Sequence, residues 1–247
     1  MLNNKKIFVI IPAYNAARTL ERTVMDIPRD IVDDVIVVDD GSSDETSAIA
    51  ERLGCIVLVH DKNYGYGRSQ KTAYREALRR GADIVVMIHA DYQCSPLLVV
   101  SLAGMVAYGE YEVAIGSRML GRGALQGGMA YYKYLANRGL TAIANVVLNT
   151  SVSEYHTGFR AFDRKVIEAL PLEEDSDGFV FDNEMLAQVI FHGFRLGQIS
   201  SPTRYFEGAS SLDFKQGVRY GLGVMRTTIG FRLHRMGLIC APLYRKG

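Results

Sequence analysis

Apolar runs and polar breaks alternate through the first half of the chain as strand, helix, strand, helix, several times over. Residues 7–11 are consecutive apolar positions, as expected of a strand buried on both faces. Pro12 is expected to close that strand because proline cannot donate to a ladder. Ala17, Leu20, Val24 and Ile27 recur at helical spacing and predict a helix over 16–27, stopped by Pro28. Further strands are expected at 35–38, 55–59, 84–88 and 112–115. The helices between them run from a Ser42 or Ser43 cap to about 53, over 68–80, and over 96–108. Such a series with short connections predicts an α/β fold, a doubly wound, mostly parallel sheet with helices on both faces.

The second half is less regular. Four glycines within 121–128 suggest a mobile loop able to close over a cleft, and 131–149 reads as a helix. Residues 155–162 read as a short strand or turn, 182–192 as a helix, and 196–205 as a strand broken at Pro202. A last helix is expected over 214–236, although Gly217, Gly221, Gly223 and Gly230 weaken its pattern. No repeat or low-complexity linker interrupts the chain. The expectation is one domain over 1–210 with a helical extension over 211–247.

Composition narrows the partners. A chain of 247 residues can bury a sizeable core, and a net charge of +1 argues against nucleic acid as a partner. The C-terminal part differs: Lys215, Arg219, Arg226, Arg232, Arg235 and Arg245 occur there with one histidine and no acid, which suits an anionic membrane surface. Cys55, Cys94 and Cys240 are odd in number and widely spaced, so neither a disulfide framework nor a zinc site is suggested. The N-terminal apolar run is too short for a signal peptide, and no window reaches the roughly 18 apolar residues of a membrane span. A cytoplasmic protein, peripheral on the inner face of a membrane, is expected.

The stretch 84–93, IVVMIHADYQ, changes from apolar to polar in one step. His89, Asp91 and Gln93 follow at every second position, and in an extended segment that spacing points all three to one side. The end of a buried strand is where an open α/β sheet places its ligand. Neither G-x-G-x-x-G nor G-x-x-x-x-G-K-[ST] follows the first strand, which instead continues Pro12-Ala13-Tyr14-Asn15. In place of a glycine-rich phosphate loop there are an aromatic ring, Tyr14, and the pair Asp39 and Asp40. Tyr14 can stack on a base, and the carboxylates can accept from a base N–H or ribose hydroxyls. Taken alone, Asp39-Asp40-Gly41-Ser42 also reads as a turn and helix cap.

These stretches resemble the family 2 inverting glycosyltransferases of the GT-A fold. The resemblance rests on four ordered motifs: residues 10–15 (IIPAYN), 37–46 (VVDDGSSDET), 63–67 (NYGYG) and the Asp-x-Asp position within 84–93. The Gln two residues after Asp91 is similar to the dolichyl-phosphate mannose synthase branch. The resemblance implies that Pro12, Ala13, Tyr14, Asn15, Asp39 and Asp40, with Lys62, Asn63, Gly65 and Gly67, hold a sugar nucleotide. It also implies that Asp91 and Gln93 bind a divalent metal, Mn²⁺ or Mg²⁺, on the diphosphate, where a cation absorbs the charge of the leaving group. Two positions depart from the family pattern: Ala16 stands where an acid often follows the Asn, and His89 stands for the first Asp of Asp-x-Asp. As a ligand His89 would favour Mn²⁺; as a non-ligand it could hydrogen-bond the diphosphate or cap the strand.

Arg118, in Gly116-Ser117-Arg118, could clamp a phosphate, and Arg160 and Arg204 stand in contexts that resemble this branch, where basic residues receive the acceptor's phosphate. Asp182 is expected in the first turn of its helix, as a base for the acceptor, a sugar-hydroxyl partner or a favourable charge on the helix dipole. His156 and His192 read as structural or rim-lying. The expected activity is metal-dependent, inverting transfer of a hexosyl group from a nucleotide sugar of the GDP-mannose or UDP-glucose type to a polyprenyl phosphate such as dolichyl or undecaprenyl phosphate. Transfer to a saccharide or glycolipid hydroxyl is the alternative enzyme, and a non-catalytic nucleotide-sugar-binding subunit the alternative of another class. Oligomeric state is not legible.

Overall fold

The apolar runs become strands of a seven-stranded sheet in the computed structural model, which describes residues 2–121, 123–205 and 214–245. The strands are β1 (Ile7–Ala13), β2 (Asp34–Asp39), β3 (Ile56–Val59), β4 (Ile84–Met87), β5 (Val113–Ser117), β6 (Arg160–Asp163) and β7 (Leu196–Ser200). Their order is β3-β2-β1-β4-β6-β5-β7. All pairings are parallel except those of β6, which lies antiparallel between β4 and β5. The helices are α1 (Leu20–Met25), α2 (Thr46–Arg52), α3 (Tyr66–Arg79), α4 (Val99–Ala107), α5 (Gly123–Gln126), α6 (Tyr131–Leu148), α7 (Arg164–Ala169), α8 (Phe181–Phe191) and α9 (Phe214–Arg235).

Successive residues of β1 feed opposite cores. Phe8 and Ile10 join one cluster with Tyr74 and Ala77 of α3 and Phe181 and Met185 of α8. Ile7, Val9 and Ile11 join another with Leu20 and Val24 of α1, Ile49 of α2 and Leu102 of α4. With helices on both faces, each strand needs apolar side chains in both directions, so the runs are unbroken.

Three expectations are corrected. Pro12 does not close β1: it stays in register with Val38 of β2, and pairing continues to Ala13. Ile10 uses its carbonyl on the β4 side, accepting from Ile88 N–H at 3.1 Å. Pro12, two residues on, turns its nitrogen to that same side, past the end of β4, where no donor is needed. The helix predicted from 16 begins at Leu20. The N–H groups of Asn15, Ala16 and Ala17 donate instead to Ser42 Oγ (2.8 Å), Thr46 Oγ1 (2.8 Å) and Asp44 (3.1 Å), lacing the end of β1 to the β2–α2 connection.

The glycine-rich segment is not a free loop over its described residues. It forms α5, and Gly127 accepts from Tyr205 N–H at 2.8 Å. A side chain at Gly127 would collide with the Thr203 carbonyl, so glycine is required for this packing. The predicted boundary at 210/211 lies outside the described residues. Helix α9 packs against α6 and α8, Phe231 meeting Phe191 of α8 edge to face, and Tyr244 folds back to donate to the Thr227 carbonyl at 3.1 Å.

Candidate functional site

Four parallel strands, β3, β2, β1 and β4, end on one edge of the sheet, and the loops after them carry the residues singled out from the sequence. Past β4 the chain does not stay extended: His89 to Gln93 form a turn in which Tyr92 has φ +57°. The alternating-side argument therefore fails for this segment, yet the turn still brings His89, Asp91 and Gln93 to one cavity of about 710 Å³. One Asp91 oxygen accepts from Gln93 N–H at 3.0 Å, which shapes the turn and leaves the rest of the carboxylate to a ligand.

The loops after β1, β2 and β3 interlock beside this turn. Asn15 Oδ1 accepts from Ser43 N–H at 2.9 Å, and Asp39 Oδ1 accepts from Ser42 N–H at 2.9 Å. Asp40, 3% exposed, accepts from His60 Nδ1 (2.7 Å), Tyr64 N–H (3.0 Å) and Gly65 N–H (2.8 Å). Its oxygens are thus taken up in holding the loop after β3, and Asp39 is the carboxylate with accepting capacity left for a nucleoside. Tyr14 is 53% exposed beside it, and Lys62 and Asn63 are exposed on the neighbouring loop. Gly41, at φ +73°, lets that loop approach: a Cβ there would lie 2.6 Å from the Lys62 carbonyl carbon. Gly65 and Gly67 allow the start of α3 to close against 176–177, where a Cβ would meet the Asp177 and Ser176 carbonyls at 2.5 and 2.3 Å. Gly67 N–H donates to Asp177 O at 2.7 Å, so this helix start is already capped by protein. The two glycines are needed for that packing.

Tyr66, given no role from the sequence, links the edge to the cavity. Its ring stacks on His89 and on Phe179, with centroids 5.4 and 5.2 Å away. Its hydroxyl donates to Asp182 Oδ2 at 2.9 Å and lies 3.5 Å from His89 Nε2. Burial, reinforced by the Asp182 charge, holds the phenol well above its ordinary pKa, so it remains a donor. Asp182 Oδ1 accepts from Gln70 at 2.9 Å, and this carboxylate, 6% exposed, also lines the cavity. Gly158 closes the group. A Cβ there would lie 2.2 Å from His89 Nε2 and 2.6 Å from the Tyr66 hydroxyl. Gly158→Ala is expected to fold, because two side-chain ends can yield, but to lower turnover at least about tenfold by displacing them, as small misplacements at a reacting centre do. Turnover equal to the unaltered enzyme would contradict this.

The three candidate arginines separate. Arg118 lines the cavity and pairs with Glu154, which is fully buried. Burial opposes ionisation of both, but their mutual attraction prevails: the guanidinium is held above its ordinary pKa and the carboxylate below its own. Arg160 is 1% exposed and spends its donors on the carbonyls of Thr157 (2.6 Å), Tyr155 (3.0 Å) and Asp182. The acceptor-phosphate role expected of it is withdrawn, because the guanidinium is buried among those carbonyls and does not line the cavity. Arg204 is exposed, 5.7 Å from the centroid of Tyr92, and does not line the cavity. Lys133 of α6 and His156, not selected from the sequence, do line it. The signal was present for His156, two residues before the critical Gly158, but a lone histidine reads as structural.

An apolar part of the cavity wall comes from α6 (Leu140, Ile143) and α9 (Gly217, Val218). On the outer surface of these helices Tyr131, Leu135, Val146, Leu222 and Ile229 are exposed. Neither helix contains an acid. No helix among the described residues is long and apolar enough to cross a membrane.

No three His, Cys, Asp or Glu side chains gather into a complete metal site among the described residues. Asp91 and Gln93 fit a hard divalent ion that takes one carboxylate and completes its shell with substrate phosphates and water. His89 presses Nε2 against Gly158 and Tyr66, so only Nδ1 could serve an ion.

Comparison with known proteins bears on the family and the fold. The chain is 26% identical to the UDP-N-acetylglucosamine–dolichyl-phosphate N-acetylglucosaminyltransferase of Methanococcus voltae, over 83% of this chain and 88% of that one. An uncharacterised protein of Methanocaldococcus jannaschii is 31% identical over 85% and 86%. The glucosyl-3-phosphoglycerate synthase of Mycobacterium tuberculosis, solved with UDP, superposes with a TM-score of 0.74 at 22% identity, covering 99% of this chain and 87% of that one; it has also been crystallised with UDP and Mn²⁺ or Mg²⁺. The fold is therefore that of the GT-A glycosyltransferases. Residues 8–170 match the model described as glycosyl transferase family 2, and the chain belongs to that family and is a glycosyltransferase.

Proposed function

We propose that this protein transfers a hexosyl group, with inversion, from a nucleotide sugar to a polyprenyl phosphate at the inner face of a membrane. The observation that carries the reading is one cavity lined both by Asp91 and Arg118 and by an apolar wall from α6 and α9. Such a space suits a phosphate attached to a hydrocarbon chain, and the Methanococcus voltae relative is named for a dolichyl-phosphate acceptor. The nucleoside would lie at the β1–β2 edge, stacked on Tyr14 and held by Asp39. A divalent ion held by Asp91 and Gln93 would neutralise the departing diphosphate, as Mn²⁺ or Mg²⁺ accompanies UDP in the structural neighbour. Arg118 orients the acceptor phosphate, with Lys133 and Arg204 near the approach. An acceptor phosphate oxygen attacks the anomeric carbon in line, and the bond from that carbon to the diphosphate oxygen breaks. A phosphate is already ionised near neutral pH, so Asp182 need not take a proton. Both its oxygens already accept hydrogen bonds, which suits orientation of Tyr66 and His89 better than deprotonation of a saccharide hydroxyl.

The test is incubation with Mn²⁺ and labelled UDP- and GDP-sugars, with and without polyprenyl phosphate. Lipid-dependent labelling is expected; labelling of saccharides alone, or binding without turnover, would refute the proposal. The acid-free, partly apolar surface of α6 and α9 also predicts binding to anionic vesicles. At about 1 kcal/mol per cation near the surface, raising salt from 0.1 to 0.5 M should weaken it at least about tenfold. Equal binding to neutral vesicles at both salt concentrations would count against a basic membrane face.

A further inference from the structure

Beside Arg118 the cavity contains a hydrogen-bonding pair to which the reaction above assigns no task. His156 Nδ1 lies 2.7 Å from the hydroxyl of Tyr220, and both residues line the cavity. The other ring nitrogen, Nε2, is buried and has no partner among the described residues. Burial lowers the imidazole pKa to about 4, with Arg118 and Arg160 adding to it and Glu154 opposing. Burial likewise raises the Tyr220 phenol. Both groups are neutral near pH 7.

The pair has two proton arrangements. If Tyr220 donates to Nδ1, the imidazole proton is on Nε2 and unpaired. If Nδ1–H donates to Tyr220, the phenolic proton is left unpaired. Either way one donor remains for something that enters the cavity, and leaving such a donor buried without an acceptor is costly. The carbonyl of His156 accepts from Arg118 Nη2 at 2.8 Å, so the histidine backbone and the guanidinium are held together.

We infer that His156, set by Tyr220, is a specificity-determining residue that donates a neutral hydrogen bond to an oxygen of the acceptor's phosphate. This rests on the reading of the acceptor as a lipid phosphate. Charge gives the reason for a neutral donor. The Arg118 cation is already compensated by Glu154, and an attacking phosphate oxygen must keep its electron density. A neutral N–H or O–H fixes the direction of the phosphate without withdrawing as much charge as a second cation would. Because Tyr220 belongs to α9 and His156 to the loop before β6, the pair also ties the apolar wall to the phosphate end, so that headgroup and chain are read together.

The test uses the whole protein with UDP or GDP and Mn²⁺, a short-chain isoprenyl phosphate, and the corresponding isoprenol. Binding is followed by calorimetry and turnover by label transfer. His156→Phe is expected to weaken isoprenyl phosphate binding about 10- to 100-fold, the size of one buried hydrogen bond to a charged group, while nucleotide binding stays the same. His156→Gln, whose amide nitrogen can reach the place of Nε2, should restore most of it, and Tyr220→Phe should fall between. These changes should appear in the KM for the acceptor more than in kcat, and isoprenol binding should not respond. Isoprenyl phosphate binding by His156→Phe equal to that of the unaltered protein would overturn the assignment, as would equal losses for nucleotide and acceptor. Failure of the unaltered protein to bind isoprenyl phosphate would instead overturn the acceptor reading, and this assignment with it.

Discussion

Replacing Asp91 by alanine is expected to reduce sugar transfer at least about a thousandfold, in keeping with the several kcal/mol of transition-state charge stabilisation that a metal-binding carboxylate supports. The protein should remain folded. Among the described residues the side chain makes one hydrogen bond, to Gln93 N–H in its own turn, so its removal should cost no more than about 1 kcal/mol. A thermal melt close to that of the unaltered protein, together with loss of the response to added Mn²⁺, is the expected pair of results. Transfer within tenfold of the unaltered enzyme would sink the assignment of Asp91. The same titration on His89→Ala separates the two readings of that residue: a shifted Mn²⁺ requirement marks a ligand, and an unchanged one marks a partner of Tyr66.

Arg160→Ala should have its largest effect on stability. The guanidinium is 1% exposed and serves three carbonyls, with the Asp182 carboxylate 3.9 Å from Nη1. Removing it strands buried acceptors and an anion, a loss of about 3–5 kcal/mol. At roughly 2–4 °C per kcal/mol for a domain of this size, the melting temperature should fall by about 6–20 °C. Arg160→Lys should not rescue it, because an ammonium cannot reach three divergent carbonyls at once. Calorimetric melts decide the matter. A variant of unchanged melting temperature with a selectively raised acceptor KM would return Arg160 to the acceptor site.

Arg118 and Arg160 show where sequence reading stopped. In the sequence each is a cation after a glycine-containing motif, Arg118 just past a predicted strand and Arg160 within the 155–162 segment. Arg118 meets its counter-ion Glu154 36 residues away and remains at the cavity, whereas Arg160 starts the antiparallel strand β6 and is drawn inside. The pairing partner of β6 could not be read locally, because it enters between β4 and β5, strands that precede it by more than 40 residues. Tyr66 is a comparable case. It sits within a recognised motif, but its role comes from Asp182, 116 residues on.

The sequence by itself determined the class of sheet, the succession of its first five strands along the chain and the loops that carry Tyr14, Asp39 and Asp91. Those features rest on unbroken apolar runs, turn residues and helix caps, which act over a few neighbouring positions. Only the tertiary structure decided that Asp40 holds a loop, that β6 runs antiparallel, that α6 and α9 form one apolar wall, and that His156 and Tyr220 meet at the cavity. Each of these depends on which distant surfaces bury one another, and that choice is made by packing the whole chain, not by the pattern of any one segment.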